Sequence, residues 1–318
     1  MSVFTPVTPE QLAHWLKGYS VGALTEMQPI AEGIENTNYF VTTTQGRFVL
    51  TLFEKLGAAQ LPFYLGLMAH LARHGIPCPA PIADLSDNLL GRLNGKPAAL
   101  VTRLPGRWLE RPSREQCAQL GALLARMHRA GRSYGNYQEN PRGAAWCRAI
   151  AAKVRPFLDA AGRRLLDQEL RFQALCRFPD LPRGPVHADL FRDNTLFDAA
   201  GISGVVDFYF AGVECWLFDV AVCANDWCLV DPAGDRRIDR QRALALLDAY
   251  AEGRAFTALE HSAWPVLLRA AALRFWLSRL HDFHLPRAGE LVRVHDPAHF
   301  RQVLELRAAA DFAAPWPG

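Results

Sequence analysis

Residues 186–207 read VHADLFRDNTLFDAAGISGVVD, and this stretch decides the fold. Asp189 is followed five residues later by Asn194, and Asp207 directly follows the apolar or small residues 202–206. Residues 196–197 and 202–206 predict the two strands of a hairpin, with a turn over residues 199–201. Such a hairpin would hold the preceding loop and the carboxylate of Asp207 at fixed positions.

These polar residues are of the types that phosphoryl transfer requires. Transfer of a γ-phosphoryl group depends on positioning and on charge neutralisation rather than on covalent help. Mg²⁺ prefers oxygen ligands, so Asn194 and Asp207 are the predicted metal ligands. Asp189 is the predicted catalytic base, which accepts or orients the proton of the acceptor hydroxyl. The catalytic loop of protein kinases has the same order: a base Asp, an Asn five residues later and then a metal-binding Asp.

A surface loop is the alternative interpretation of these residues, because Asp and Asn are common in turns. A turn does not explain three polar residues at this spacing with a carboxylate at the end of an apolar strand. We therefore favour the catalytic interpretation. His187 joins Asp189 in the candidate catalytic set, and we expect it to brace the loop by hydrogen bonding.

The composition is that of an ordinary globular protein. Of its 318 residues, 50% are hydrophobic and 21% are charged. This length is enough for two lobes. A formal charge of +3 gives no reason to expect nucleic acid or a membrane surface as a partner. The start predicts no signal peptide, and no apolar run is long enough for a membrane span. Seven cysteines without a CxxC pair predict a cytoplasmic protein with reduced thiols and no structural zinc site. The oligomeric state does not follow from the sequence.

The N-terminal part predicts a nucleotide-binding lobe over residues 1–104. Strands are predicted over residues 27–31, 38–43 and 47–53, and a glycine-bearing loop joins the first two. Kinase-like folds cover ATP phosphates with such a loop, although a plain hairpin turn is the alternative. The predicted ATP-binding residues are Gly33, Ile34, Glu35 and Asn36 of the loop, and the backbone of Val101, Thr102 and Arg103 at the end of a strand over residues 96–104.

Helix signals recur along the rest of the chain. Thr8 and Ser113 each begin a capping box, and Gly75 ends an amphipathic helix over residues 61–74. Asp239 is a predicted N-cap, and Pro265 is predicted to begin a long helix that reaches residue 285. Asp296 and Pro297 predict the N-cap and first position of a final helix. Other helices are predicted over residues 114–129, 146–158, 163–177 and 217–230.

The segments HADLFRDN and VVDFYFAG resemble the catalytic segment of the aminoglycoside phosphotransferase and choline kinase superfamily. Five further segments resemble its bacterial homoserine kinase family: GIENTNYFVTT at 33–43, FVLTLFEKL at 48–56, GIPCPAPI at 75–82, ANDWC at 224–228 and FWLSRLHDF at 275–283. The resemblance covers nearly the whole chain. It implies an α+β, protein kinase-like two-lobed fold with a small antiparallel-sheet lobe and a larger, mainly helical lobe over residues 105–318.

By this resemblance, the expected reaction is ATP- and Mg²⁺-dependent phosphorylation of the side-chain hydroxyl of L-homoserine, a step toward threonine. The site must satisfy a carboxylate and an ammonium, because an unpaired buried charge is costly. Arg is suited to a carboxylate and Asp to an ammonium. The substrate candidates are Asp226 and Arg279 first, then Tyr209 and Trp227, with His281 and Asp282 beside them; solvated or mutually paired side chains are the alternative for all six.

Two positions depart from the family pattern. Thr51 stands where kinase-like folds usually have a phosphate-binding Lys, and Lys55 or the loop backbone is a possible replacement. Ala188 stands where superfamily members often have Gly, a conservative change. Two alternatives stay open: a kinase of the same fold for an aminoglycoside, choline or a related amine, and a nucleotide-binding pseudokinase, which Thr51 favours and the set of Asp189, Asn194 and Asp207 opposes.

Overall fold

The computed structural model describes residues 4–30, 36–286 and 295–317. The chain divides into two compact units. The first consists of Met1–Gly106 with the short segment Ser203–Val206, and the second of Arg107–Ile202 with Asp207–Gly318.

The first unit is built on an antiparallel sheet. Its strands are β1 (Leu24–Pro29), β2 (Asn36–Thr43), β3 (Gly46–Phe53), β4 (Gly91–Leu93) and β5 (Lys96–Thr102), in the order β1-β2-β3-β5-β4. Alternate residues of β2 are buried, as expected for a strand with one face on a core. Helices α1 (Pro9–Leu16) and α2 (Leu61–Arg73) complete the unit. Thr8 caps α1 with the predicted capping box, and Gly75 follows α2 with a φ of 74°, which favours glycine.

The second unit is mainly helical. Its helices are α3 (Arg114–Gly131), α4 (Ala144–Val154), α5 (Ala160–Leu175), α6 (Trp216–Trp227), α7 (Arg240–Gly253), α8 (Ala258–His284) and α9 (Ala298–Ala308). Strands β6 (Arg183–Val186) and β9 (Gly212–Cys215) pair antiparallel. The predicted hairpin consists of β7 (Thr195–Asp198) and β8 (Gly201–Val205), and residues 203–205 of β8 are counted with the first unit. A sheet unit followed by a helical unit confirms the predicted α+β class.

Several helix starts differ from the predictions. Helices α4, α5 and α6 each begin one to three residues earlier than predicted. Helix α8 begins seven residues before Pro265, because Thr257 and Glu260 form a capping box that starts it earlier. Pro265 therefore lies inside the helix rather than at its first position. Helix α9 begins one residue later than predicted: Pro297 precedes it, and the Asp296 carboxylate accepts the N–H of Ala298 at 2.8 Å. Asp239 caps α7 as predicted.

In the described part of the chain, each helix is too short or too polar to cross a lipid bilayer.

Helices α3 and α7 approach closely at Gly121. A Cβ atom added there would lie 2.1 Å from the carbonyl oxygen of Leu246 and 3.1 Å from the backbone N of Tyr250. Because both neighbours are backbone atoms of a helix, they cannot move aside without separating the two helices. The small residue at position 121 is therefore required by packing.

We expect Gly121→Ala to lower the free energy of unfolding by about 3 kcal/mol, because the methyl group overpacks the contact between α3 and α7. Urea unfolding followed by circular dichroism measures the change. Gly135→Ala is the matched control, since a Cβ at Gly135 would meet no atom within 4 Å. Equal midpoints for both variants would show that the helices separate at little cost.

Candidate active site

Helix α6 has no exposed face, since all of its residues are buried. A helix buried on every side is normally apolar, yet α6 carries Asp219, Asn225 and Asp226. Buried carboxylates need hydrogen-bond donors to be stable. Both carboxylates of α6 find these donors in the segment 187–192, which contains the predicted catalytic residue Asp189.

Asp219 fixes the start of this loop. Its Oδ2 accepts the N–H of His187 at 2.9 Å, and its Oδ1 accepts the N–H of Ala188 at 2.8 Å. The third partner is His128, whose Nε2 lies 3.1 Å from Oδ2 and whose Nδ1 lies 2.8 Å from the Tyr250 hydroxyl. Burial lowers the pKa of His128, so a neutral ring donates from Nε2 and accepts from Tyr250. Although burial opposes ionisation of Asp219, the hydrogen bonds from His128 and from the backbone of His187 lower its pKa.

Asp226 fixes the end of the same loop, two helical turns after Asp219. Its Oδ2 accepts the backbone N–H of Arg192 at 2.9 Å and Nε of that side chain at 2.9 Å, and its Oδ1 accepts Nη2 at 3.1 Å. Between these anchors, the indole N–H of Trp227 donates to the carbonyl of Leu190 at 3.1 Å. Positions 219, 226 and 227 share one face of a helix, so this face holds the loop of residues 187–192 at both ends and at Leu190.

Within the loop, Asp189 and Asn194 are joined through the backbone. The Nδ2 of Asn194 donates to the carbonyl of Asp189 at 2.8 Å, which leaves Oδ1 of the amide as the atom that could face a cation. The N–H of Asp189 donates to Nδ1 of His187 at 3.3 Å. His187 itself is fully buried.

Asp207 follows β8 and is exposed. One carboxylate and one amide oxygen are hard donors, and such a small set suits a Mg²⁺ ion that takes its other ligands from phosphates and water. The types of Asn194 and Asp207 therefore fit the predicted metal. The backbone is left-handed at Asp207, with φ 64°, and at Ala188, with φ 63°. Because this conformation costs a non-glycine residue about 1–2 kcal/mol, a glycine would adopt it more readily at position 188.

Arg274, on α8, lies beside Asp189, and Arg142, just before α4, lies near Arg274. Arg274 is 3% exposed, and its Nη1 lies 3.4 Å from Oδ1 of Asp189. Arg142 donates to the hydroxyl of Ser278, and the ring of Phe210 lies 4.4 Å from its guanidinium. The prediction from sequence missed Arg274, although a lone Arg in the apolar run AALRFWL is the signal that could have found it.

The predicted substrate residues have different surroundings. Asp226 is engaged with Arg192, and Trp227 is 1% exposed with its N–H on Leu190, so both hold the loop. Arg279 is half-buried; burial lowers its pKa, while Asp189, Asp282 and Asp193 oppose that shift. Tyr209 is half-buried in the short 3₁₀ turn after Asp207. His281 pairs with Asp282 at 3.3 Å.

The predicted nucleotide residues lie in the first unit. Gly33, Ile34 and Glu35 fall outside the described residues, and Asn36 is the first residue of β2. The N–H groups of Thr102 and Arg103 donate to the carbonyls of Ala80 and Arg47, so these two groups are engaged within the unit.

The strand that carries the other nucleotide candidates shows two further features. Val101 is buried in β5 opposite Val49. Thr51, at the usual Lys position, is 4% exposed, and its hydroxyl donates to Oδ1 of Asn38 at 2.8 Å. The position is therefore part of the packed sheet.

We expect Asp219→Asn to lower the free energy of unfolding by about 3 kcal/mol, since it puts an amide among three donors in a buried site. Urea unfolding tests this at pH 7. Asp167→Asn serves as the control, because Asp167 forms a partly exposed ion pair with Arg155, and surface pairs contribute little. A midpoint for Asp219→Asn equal to that of wild type would contradict the anchoring role.

Comparison with known proteins identifies the family. Residues 26–256 match the model of the phosphotransferase enzyme family. The homoserine kinase of Methylobacillus flagellatus is 52% identical over 310 residues, which cover 98% of this chain and 96% of that protein. The homoserine kinase of Paraburkholderia xenovorans is 50% identical over 319 residues, with 96% of each chain covered.

Solved structures confirm the kinase-like fold. An amicoumacin kinase superposes with a TM-score of 0.71 at 14% identity, with 93% of each chain covered. A spectinomycin phosphotransferase superposes with a TM-score of 0.68 at 15% identity, covering 95% of this chain and 98% of that one. At such low identity these likenesses concern the fold alone. With the family model and the full-length relatives, they show that the chain belongs to the phosphotransferase enzyme family, in the group whose curated members are named homoserine kinase.

Proposed function

We propose that this protein transfers the γ-phosphoryl group of ATP to the side-chain hydroxyl of L-homoserine, giving O-phospho-L-homoserine and ADP. The substrate is proposed because about half of the residues are identical, over nearly the full chain, to those of proteins named homoserine kinase. The catalytic loop supports the same chemistry. The reaction is a step toward threonine.

Asp189 is the proposed catalytic base. It orients the hydroxyl of homoserine for in-line attack and accepts its proton as the bond to phosphorus forms. Its position is fixed by the bonds from the backbone of His187 and Ala188 to Asp219 and from Arg192 to Asp226. Such positioning is the main source of rate in phosphoryl transfer.

Asn194 and Asp207 are the proposed ligands of Mg²⁺. When bound, the ion neutralises charge on the phosphates. The amide orientation of Asn194, fixed by the carbonyl of Asp189, supports its part. We further propose that residues 1–104 form the nucleotide-binding lobe and residues 105–318 the catalytic and substrate-binding lobe.

The loop at residues 33–36 is the proposed cover of the phosphates, as family resemblance implies. The N–H groups of Thr102 and Arg103 already donate to backbone carbonyls, so they are not available to the adenine. The proposed adenine contacts are therefore the other backbone groups of residues 101–103. Arg279 and Tyr209 stay as proposed contacts of the acceptor. Thr51 does not take the place of the usual Lys in binding phosphate, since its hydroxyl donates to Asn38.

Purified protein with Mg-ATP is expected to release ADP with L-homoserine and to give at least about 100-fold lower kcat/KM with L-serine, choline or an aminoglycoside. A site built to pair two substrate charges discriminates strongly against compounds that lack one or misplace them. A coupled assay for ADP measures each rate. Release with choline or an aminoglycoside instead would keep the kinase and refute the substrate. ATP binding without release for any acceptor would support a pseudokinase.

Removal of the catalytic carboxylates separates their roles. We expect Asp189→Asn to lower kcat by about 10²–10⁴-fold with ATP binding retained, because a general base contributes that factor. Asp207→Ala is expected to abolish measurable turnover, since the metal loses a ligand. ADP release and nucleotide titration provide the readouts. Asp198→Asn is the control, because Asp198 is an exposed turn residue of the hairpin that bonds only the N–H of Ala200 among the described contacts. A wild-type rate for Asp207→Ala would refute the metal assignment.

A further inference from the structure

Arg274 is a buried cation with incomplete pairing. It lies on α8 and is 3% exposed. Its Nη2 has no hydrogen-bond partner among the described residues, and its Nη1 makes a single contact of 3.4 Å with Asp189, at the long end of the hydrogen-bond range. A buried guanidinium normally pairs with a carboxylate through two bonds. An unsatisfied buried donor in a native protein calls for a specific explanation.

The surroundings of Arg274 favour a bound anion. The ring of Phe275 lies 3.8 Å from its guanidinium, on one side. Burial lowers its pKa to about 10, Asp189 opposes this shift, and the nearby cations Arg142 and Arg279 add to it. Arg142 itself donates to the neutral hydroxyl of Ser278. Among the residues that the structure describes, Asp189 is therefore the one carboxylate that acts directly on Arg274, while Asp282 and Asp193 lie near Arg279.

The acceptor has an anion at the required distance. In homoserine, three carbon atoms separate the hydroxyl oxygen from the carboxylate carbon, a span of about 5 Å when extended. A hydroxyl bonded to Asp189 would therefore place the carboxylate within reach of an arginine that already touches Asp189. The ammonium cannot take this place, because it would meet Arg274 as a like charge.

We propose that Arg274 is the specificity-determining residue that binds the α-carboxylate of the acceptor, with its unpaired Nη2 as a donor. This inference rests on the proposed function. In this proposal Arg274 contacts both the proposed catalytic base, Asp189, and the carboxylate of the substrate. The guanidinium thereby sets the distance between the carboxylate and the hydroxyl that is phosphorylated.

The test compares L-homoserine with L-homoserine amide, which has the same shape without the negative charge. For wild type we expect a kcat/KM about 100-fold higher with homoserine, because a hydrogen-bonded charge pair is lost with the amide. For Arg274→Gln we expect a loss of about 100-fold on homoserine, mainly in KM, and less than about 3-fold on the amide. Arg274→Lys should keep part of the preference, since it retains the charge without the fork.

Arg269→Gln is the control for damage to α8. Arg269 lies on the same helix and donates to Glu169 at 2.9 Å, so this variant should lower the melting temperature and leave the homoserine-to-amide ratio unchanged. Retained turnover of the amide by Arg274→Gln or Arg274→Lys shows that the variant is folded. An equal loss on both acceptors would mean that Arg274 acts only through Asp189, which would overturn the inference. Absence of wild-type ADP release with L-homoserine would refute the proposed function, and the inference with it.

Discussion

The start of the loop that carries Asp189 depends on one buried carboxylate. Asp219 is fully buried and accepts three hydrogen bonds, two from consecutive backbone N–H groups and one from His128. A carboxylate in an apolar interior is stable only with such compensation. The loop that carries Asp189 can therefore adopt its left-handed turn at Ala188 because α6 offers the acceptor that this turn needs.

Helix α6 supports the loop, and side chains from its first to its last turn take part. Asp219 and Asp226 hold two points that are separated by the residue that performs the proposed chemistry. Between them, Trp227 fixes the carbonyl of Leu190. Asn225, on another side, donates to the carbonyl of Leu268 and accepts from Arg307, so the helix is itself fastened to α8 and α9. A rigid support of this kind would keep the proposed catalytic group in position without help from the ligand.

Local signals in the sequence predicted the local structure well. The hairpin after Asn194, the capping boxes at Thr8 and Ser113 and the glycine after α2 each depend on residues close together in the chain. The predicted start of α8 was wrong because a proline usually marks the first turn of a helix. In this helix the capping box at Thr257 sets the start, and Pro265 is accommodated inside the helix.

The roles of Asp219 and Arg274 could not be predicted from spacing. The partners of Asp219 lie 31, 32 and 91 residues away in the chain, and Asp189 lies 85 residues from Arg274. Such pairs exist only after the helices pack. The sequence shows Arg274 as a charged residue within an apolar run, but it does not show that Asp189 is its partner.

The complete burial of α6 has a consequence for how a family of this kind diversifies. Because α6 is fully buried and its residues Asp219, Asp226 and Trp227 bond the loop, changes at these three positions would disturb the loop whichever acceptor is bound. Helix α8 meets the same loop with side chains whose bonding is less complete, as Arg274 shows. Under the proposed role of Arg274, substitutions on α8 would change the acceptor, while α6 would keep its support of the loop.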